Sequence, residues 1–298
     1  MEHKAAGINS LILERTALPE PEFLTEANIR QLKAARKFIA RKQRQYDIQN
    51  REFPDMQPDP KPAEYLDNAT FVNKDYETCQ FTHLQKHDLN LVLQKRYALL
   101  NWQQGSGKTA AAYHRAKYLL KFRKVRNVVI LAPAIAINMT WDAFLKTNKE
   151  QYRVIRTSKD LEDVPEGIFL IVSTSMLGKL KRGLARFIKL RNRKLCLVFD
   201  ESDEITNPNS QRTKYVLCLF RRLKYKLLDT GTTTRNNISE LYSQFELLYN
   251  NSVNMICRCD RIYRENKERE IESESNSYYG EPFPAFRGHV LFKACHCP

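Results

Sequence analysis

The chain has 298 residues, enough for one large domain or two ordinary ones and for a core that needs no disulfide scaffold. Its 49 Lys+Arg against 34 Asp+Glu give a formal net charge of +15, which favours a polyanionic partner or an anionic surface. Composition excludes collagen, a disulfide-rich mini-protein and a wholly disordered chain, and no apolar run approaches the roughly 18 residues of a membrane span.

The first 22 residues, MEHKAAGINSLILERTALPEPE, lack the apolar core of a secretory signal. Seven cysteines, an odd number, then read as reduced thiols in a cytosol-like compartment, neither secreted nor membrane-bound. Residues 26–51 have the pattern of a basic helix. Arg30, Lys33, Arg36, Lys37, Arg41, Lys42 and Arg44 surround an apolar repeat of Ile29, Leu32, Ala35, Phe38 and Ile39. Prolines crowd 54–62, which predicts an extended or turning boundary, so 1–62 is taken as a basic helical extension with a Pro-rich linker. From about residue 80, short apolar runs alternate with helical periods. The runs are Tyr97–Trp102, Asn127–Pro133, Ile168–Ser173, Leu195–Asp200 and Lys226–Asp229, and they predict buried parallel strands of an α/β domain over 63–255. Residues 256–298 turn charged and polar, as in an insertion or the start of a linker.

Within this frame, YALLNWQQGSGKTAAAYHRAKYLL is a strand, a glycine-bearing turn and a helix. Gly105, Ser106 and Gly107 let backbone N–H groups close around phosphate oxygens, with the helix N-terminus adding partial positive charge. Lys108 would reach the β- and γ-phosphates and the Thr109 hydroxyl would hold Mg2+, which makes ATP and Mg2+ the expected cofactors. The full pattern places Gly six residues before Lys108, where this chain has Trp102. About ninety residues on, an apolar strand ends in Asp200-Glu201. Asp200 is expected to bind Mg2+ and Glu201 to polarise the attacking water, which makes Lys108, Asp200 and Glu201 the catalytic set.

Five ordered segments resemble the Swi/Snf-like branch of superfamily 2 helicases and DNA translocases, with its DEAD/DEAH-type ATP-binding domain. Beside the phosphate loop these are NVVILAPAIAINMTWDAFLK, IFLIVSTSMLGK, DESDEITNPNSQRTK and LLDTGTTTRNNISELYSQFELL. The resemblance covers about residues 80–250 and implies one RecA-like P-loop lobe, the N-terminal one, with a mostly parallel central sheet. It implies that Gln85 contacts adenine, that Thr230, Gly231 and Thr232 link hydrolysis to the nucleic-acid groove, and that Pro133, Ser173 and Thr174 lie near nucleic-acid phosphates. Departures from the family pattern are Asp203, where His is usual, Thr233, where Pro is usual, and Trp102. The second RecA-like lobe that such motors close over ATP has no counterpart in the roughly 60 residues after the Thr-Gly-Thr block. The expectation is therefore a motor lobe whose second half lies in another chain or a missing C-terminal part, weakly active or inactive by itself.

The stretch 177–194 carries eight Lys/Arg and no acidic residue, and Lys181 and Arg182 within it are expected to follow a phosphate backbone. Cys257, Cys259, Cys295 and Cys297 have Cys-x-Cys spacing unlike a structural zinc knuckle and are read as free thiols. The resulting expectation is a nucleic-acid-dependent ATP hydrolase of helicase or translocase type. Its nucleic acid would be double-stranded DNA, with no membrane partner, in the cytoplasm of a prokaryotic or phage-infected cell. The alternative is a non-catalytic module that binds nucleotide and nucleic acid, or half of a split motor.

Overall fold

A computed structural model describes residues 55–231 and 241–248, together with Arg36, Lys37, Ala40, Arg44, Asp47 and Ile48. The chain divides into two compact units, Met1–Met56 and Gln57–Pro298. In the first, the six described residues from Arg36 to Ile48 are helical, and Arg36, Lys37 and Arg44 are exposed. Thr232, the cysteines from Cys257 onward and the whole 256–298 segment lie outside the described residues.

The second unit opens with a difference from expectation. Helix α1 (Pro60–Asp67) starts inside the Pro-rich stretch, because proline is tolerated in the first helical turn, where its missing N–H has no intrahelical partner. The Asp59 side chain caps it by accepting from the Lys61 N–H at 2.9 Å. A small antiparallel hairpin follows, β1 (Thr70–Val72) with β2 (Thr78–Gln80). Helix α2 (His83–Gln94) begins at a capping box in which Thr82 and Gln85 satisfy each other's backbone N–H.

The remaining strands are β3 (Tyr97–Leu100), β4 (Asn127–Ala132), β5 (Tyr152–Ile155), β6 (Phe169–Ser173), β7 (Leu195–Phe199) and β8 (Tyr225–Asp229). They form one six-stranded sheet in the order β3-β8-β7-β4-β6-β5, and every pairing is parallel. All residues of β4, β6 and β7 are buried, as strands covered on both faces must be. One face carries Leu100, Ile130, Ile171, Val198 and Leu227 against α2 and helix α3 (Lys108–Lys121). After β4 come a short helix α4 (Ala134–Ala136), a π-turn Ile137–Trp141 and helix α5 (Asp142–Thr147), and Trp141 and Leu145 pack on that same face. The other face carries Leu131, Leu170, Leu197, Phe199 and Leu228. It packs against α6 (Leu177–Leu190), α7 (Gln211–Phe220) and α8 (Leu241–Leu248). In α6 the buried Leu177, Leu180, Leu184, Phe187 and Ile188 recur at three- and four-residue steps, which turns its cations outward. Among the described residues no helix is long and apolar enough to cross a membrane.

One buried cation ties the first face together. Arg115 on α3 donates to the Lys226 carbonyl at 2.7 Å, to the Arg96 carbonyl at 2.7 Å and to the Lys95 carbonyl at 3.2 Å. These carbonyls belong to the approaches to β3 and β8, so Arg115 fixes where both strands begin relative to the helix that follows β3. Replacing it removes a charged donor from these carbonyls in a dry site, although the Arg96 carbonyl still accepts the Lys226 N–H at 3.0 Å. Arg115→Met is expected to lower stability by about 3 kcal/mol in urea denaturation. A loss under about 1 kcal/mol would mean that packing alone sets this register.

Candidate functional site

Parallel strands present their C-terminal ends at one edge of the sheet, and the loops leaving that edge carry the chemistry-bearing residues. β3 runs into the turn Asn101–Gly107. Gly105 and Gly107 both adopt φ of +82°, the left-handed conformation that glycine enters without a steric penalty. No side chain caps α3, whose N-terminal residue is Lys108, so its first N–H groups face the loop without a side-chain acceptor. A helix start of this kind, wrapped by a glycine turn, is an anion site. Lys108 Nζ donates to the Trp102 carbonyl at 3.1 Å and more weakly to that of Gln103 at 3.4 Å. Gln85 is drawn into the same place. Its Nε2 donates to the Ser106 carbonyl at 2.9 Å, and a Cβ at Gly107 would lie 3.4 Å from that nitrogen. Trp102, in the place of the usual glycine, donates its indole N–H to Asp88 at 3.2 Å.

β7 delivers the acidic pair. Asp200 is buried, and its Oδ2 accepts the Trp141 indole N–H at 2.7 Å. Burial raises its carboxyl above the ordinary range, while the Trp141 hydrogen bond and the Lys108 charge act in the opposite direction. Glu201 has φ of +52°, which is strained for a side chain with a Cβ and swings it out to the surface. Partial burial, then the charges of Asp200 and Asp203, raise its carboxyl as well. Ser202, the next residue, is buried and donates to Gln244 Oε1 on α8 at 3.0 Å.

Two members of this site escape a reading of the sequence. Trp141 looks like core, and it is fully buried, yet its only polar atom holds the Asp200 carboxylate. Asp229, the last residue of β8, is also wholly buried, and neither carboxylate oxygen has a hydrogen-bond partner. Burial first, then the charge of Asp200, push its carboxyl up to about 8, with Lys108 opposing and Glu201 adding to the rise. Thr230 follows, buried, with its N–H on the Leu100 carbonyl at 3.3 Å. Gly231 is close enough that a Cβ there would lie 3.4 Å from Lys108 Nζ. Lys108, Asp200, Glu201, Asp229 and Gly231 thus share one electrostatic environment. Thr109 stands one residue into α3, half-buried. Among the described residues no three His, Cys, Asp or Glu side chains converge as a self-sufficient metal cage.

Farther along the same edge, beyond β4, β5 and β6, a cavity of about 400 Å³ is lined by Asn138, Arg156, Thr157, Ser173, Ser175 and Lys179, among others. Ser173 Oγ is within 2.8 Å of Ser175 Oγ. Pro133 precedes α4 at the end of β4, and Thr174 is buried beside Ser173. Lys181 and Arg182 are not part of this cavity. The Lys181 ammonium lies 5.2 Å from the Tyr215 ring centre, in the groove between α6 and α7.

A family model described as type III restriction enzyme, res subunit, matches residues 55–235. No curated protein matches the chain. Among solved structures, the Sulfolobus solfataricus SWI2/SNF2 ATPase core in complex with dsDNA aligns at 16% identity and TM-score 0.48, over 65% of this chain and 42% of its own. The UvsW helicase from bacteriophage T4 aligns at 14% identity and TM-score 0.46, over 65% of this chain and 67% of its own.

The raised Asp229 carboxyl makes a stability profile predictable. Its folded-state value lies above the ordinary one of about 4, so between about pH 4 and pH 8 the folded chain holds a proton that the unfolded chain has released. Stability therefore falls as pH rises through that window. Buried His114, whose imidazole is held down at about 4 by that burial, opposes this up to about pH 6.5. In chelator and without nucleotide, the decline in urea midpoint is therefore expected between about pH 6.5 and pH 8, by at most about 1.4 kcal/mol per unit, and Asp229→Asn should flatten it. Wild-type and Asp229→Asn profiles that run parallel from about pH 6.5 to pH 8 would show that Asp229 carries no proton there.

Proposed function

From the premise that the chain belongs to the type III restriction enzyme res subunit family, a superfamily 2 helicase-type ATPase lobe, we propose that it binds ATP·Mg2+ and acts as the motor lobe of a nucleic-acid-dependent ATPase. The observation that carries this reading is the uncapped start of α3 behind two left-handed glycines, with Lys108 inside it and Asp200-Glu201 at the same sheet edge. Backbone N–H groups from Gly105 to Thr109 would enclose the phosphates. Lys108 would trade its carbonyls at Trp102 and Gln103 for β- and γ-phosphate oxygens, which are charged and better acceptors. Gln85, anchored to Ser106, would keep its second amide hydrogen for the adenine.

The donor set suits Mg2+. A threonine hydroxyl and a carboxylate are hard oxygen ligands, and this ion is ordinarily held by one or two carboxylates plus substrate phosphates rather than by a protein cage. Thr109 and Asp200 would hold it, with Asp200 kept in orientation by Trp141, and the ion would neutralise charge on the β- and γ-phosphates. Glu201 would accept the proton of the attacking water, and a carboxyl raised above its ordinary value is the better base for that task.

The nucleic acid would lie along the Ser173 cavity. Hydroxyls of Thr157, Ser173 and Ser175 with the cations Arg156 and Lys179 suit phosphate contacts, which position a duplex without reading its sequence. Double-stranded DNA is the partner this reading favours, in keeping with the +15 charge. Thr230 and Gly231, which leave β8 directly beside Lys108, would link the nucleotide state to the nucleic-acid groove.

ATP turnover with and without duplex DNA tests the enzyme reading, and Glu201→Gln should lower any DNA-stimulated rate by at least about 100-fold. Nucleotide binding that requires Lys108 without turnover would instead make the chain a half-motor or a non-catalytic module. For the nucleic-acid face, the double charge reversal Arg156→Glu with Lys179→Glu should weaken duplex binding and reduce its salt slope by about two units. An unchanged slope in the double variant would remove this cavity from the DNA path.

A further inference from the structure

β7 and β8 are neighbours whose register runs from Cys196↔Tyr225 to Phe199↔Leu228. The next residue on each strand is Asp200 and Asp229. Neighbouring strands lie about 4.8 Å apart, and side chains alternate between faces. Val198 and Leu227 belong to the face covered by α3, so two residues beyond each, Asp200 and Asp229 project to that same face, above the start of α3. Two carboxylates therefore stand side by side in a dry site.

Their surroundings differ. Asp200 accepts the Trp141 N–H, whereas Asp229 is 0% exposed and both its oxygens lack any hydrogen bond. The nearest cation, Lys108, is committed to the Trp102 and Gln103 carbonyls. An unpartnered buried carboxylate is among the more unfavourable arrangements a core can hold, and the Leu227–Leu228 pattern would accommodate another leucine at this place. The group is orphaned within the protein and aimed at the phosphate edge, beside a like charge. What satisfies such a pair is a proton, or a small hard cation that displaces it.

We propose that Asp229 is the second carboxylate of a divalent-cation site whose first is Asp200, so that the chain takes up Mg2+ or Mn2+ before nucleotide arrives. This rests on the nucleotide-site reading above and deepens it. Asp229 acts on the ion directly or through one of its bound waters, and it keeps the ion at the sheet edge when no phosphate is there to share it. Placed at the end of β8, it also joins the ion to Thr230 and Gly231, the first residues of the segment that leaves the site.

The test is a Mn2+ titration of the full-length, nucleotide-free protein, followed by the loss of the free Mn2+ electron paramagnetic resonance signal and, in parallel, by the melting temperature. Wild type is expected to bind one Mn2+ and to melt higher with it. Asp229→Asn should weaken that binding at least tenfold and remove the Mn2+-dependent rise in melting temperature. Asp229→Leu, which continues the apolar strand, serves as a second variant and should fold without metal and bind none. Mn2+ affinity unchanged in either variant overturns the proposal, as does a wild type that binds no Mn2+ without nucleotide, which would leave the two aspartates sharing a proton instead. Fluorescent-ATP binding in saturating Mg2+, with Lys108→Ala as control, separates the two claims. If it fails while Mn2+ behaves as expected, the nucleotide reading falls and the cation site stands. If it succeeds while Asp229 has no effect on Mn2+, the cation proposal alone falls.

Discussion

The parallel register of β3, β8 and β7 is the constraint on which the site depends. Leu100 pairs with Asp229 and Phe199 with Leu228, so the residues that leave the sheet do so at one level. From that level come the loop to Lys108, the Thr230-Gly231 step and Asp200-Glu201. A parallel sheet delivers this arrangement at its C-terminal edge as a matter of geometry, provided each strand starts at the right place. Arg115 sets two of those starts by reaching the carbonyls of Lys95, Arg96 and Lys226 from inside α3. A residue remote from Lys108 thus bears on where the glycine turn, Asp200 and Asp229 end up. The apolar strands supply the driving force, and the guanidinium supplies the register.

A second constraint acts from the neighbouring segment. The π-turn Ile137–Trp141 inserts an extra residue into the helical path and so turns Trp141 inward, where its ring fills the core and its N–H meets Asp200. The block after β4 therefore has two duties. Ala134, Ile137 and Asn138 line the Ser173 cavity, while Trp141 holds the Asp200 carboxylate. Ser202 makes a similar link to Gln244 on α8, so the acidic segment is fastened to the helix beyond the Thr-Gly-Thr block. Both links run through buried polar contacts, and breaking either would leave buried polar atoms unpaired.

The central strands were legible in the sequence because burial on both faces leaves an uninterrupted apolar run, as in NVVILA and LCLVF. The edge strand β5 was not, since Tyr152, Arg153 and Val154 are only half-buried and its four residues form no continuous apolar run. The helix at Pro60 was hidden by its prolines, which a first turn accommodates and an interior would not. At the site, the glycine turn and the Asp-Glu pair announce themselves through residue type. Trp141 and Asp229 do not. A tryptophan after an apolar strand looks like packing, and only the tertiary contact reveals what its N–H holds. Asp229 did leave a signal, a carboxylate in the place where the Lys226–Leu228 run should end in an apolar residue, but its adjacency to Asp200 exists only once β8 lies beside β7. Lys181 shows the reverse case. Its charge was legible, whereas its direction, toward Tyr215 and the α6–α7 groove, depends on how α6 seats its apolar stripe.

The hydrogen bonds of Lys108 bear on how such a site is used. Its ammonium rests on two carbonyls of its own loop, so the glycine turn is already closed around a positive charge and needs no nucleotide to organise it. Binding of phosphate, as proposed, would then be an exchange of acceptors in which neutral carbonyls give way to charged oxygens, with little ordering entropy left to oppose it. Asp229 lies on the other side of that exchange. When Lys108 turns toward phosphate, the field it exerts on Asp200, Glu201 and Asp229 shifts with it, and these three carboxyls are the groups whose proton affinity that field lowers. A single side chain moving by a few ångströms thereby changes the charge state of the edge that carries Gly231 and the segment beyond it. On the proposed reading, nucleotide occupancy would in this way be translated into electrostatics at Thr230 and Gly231.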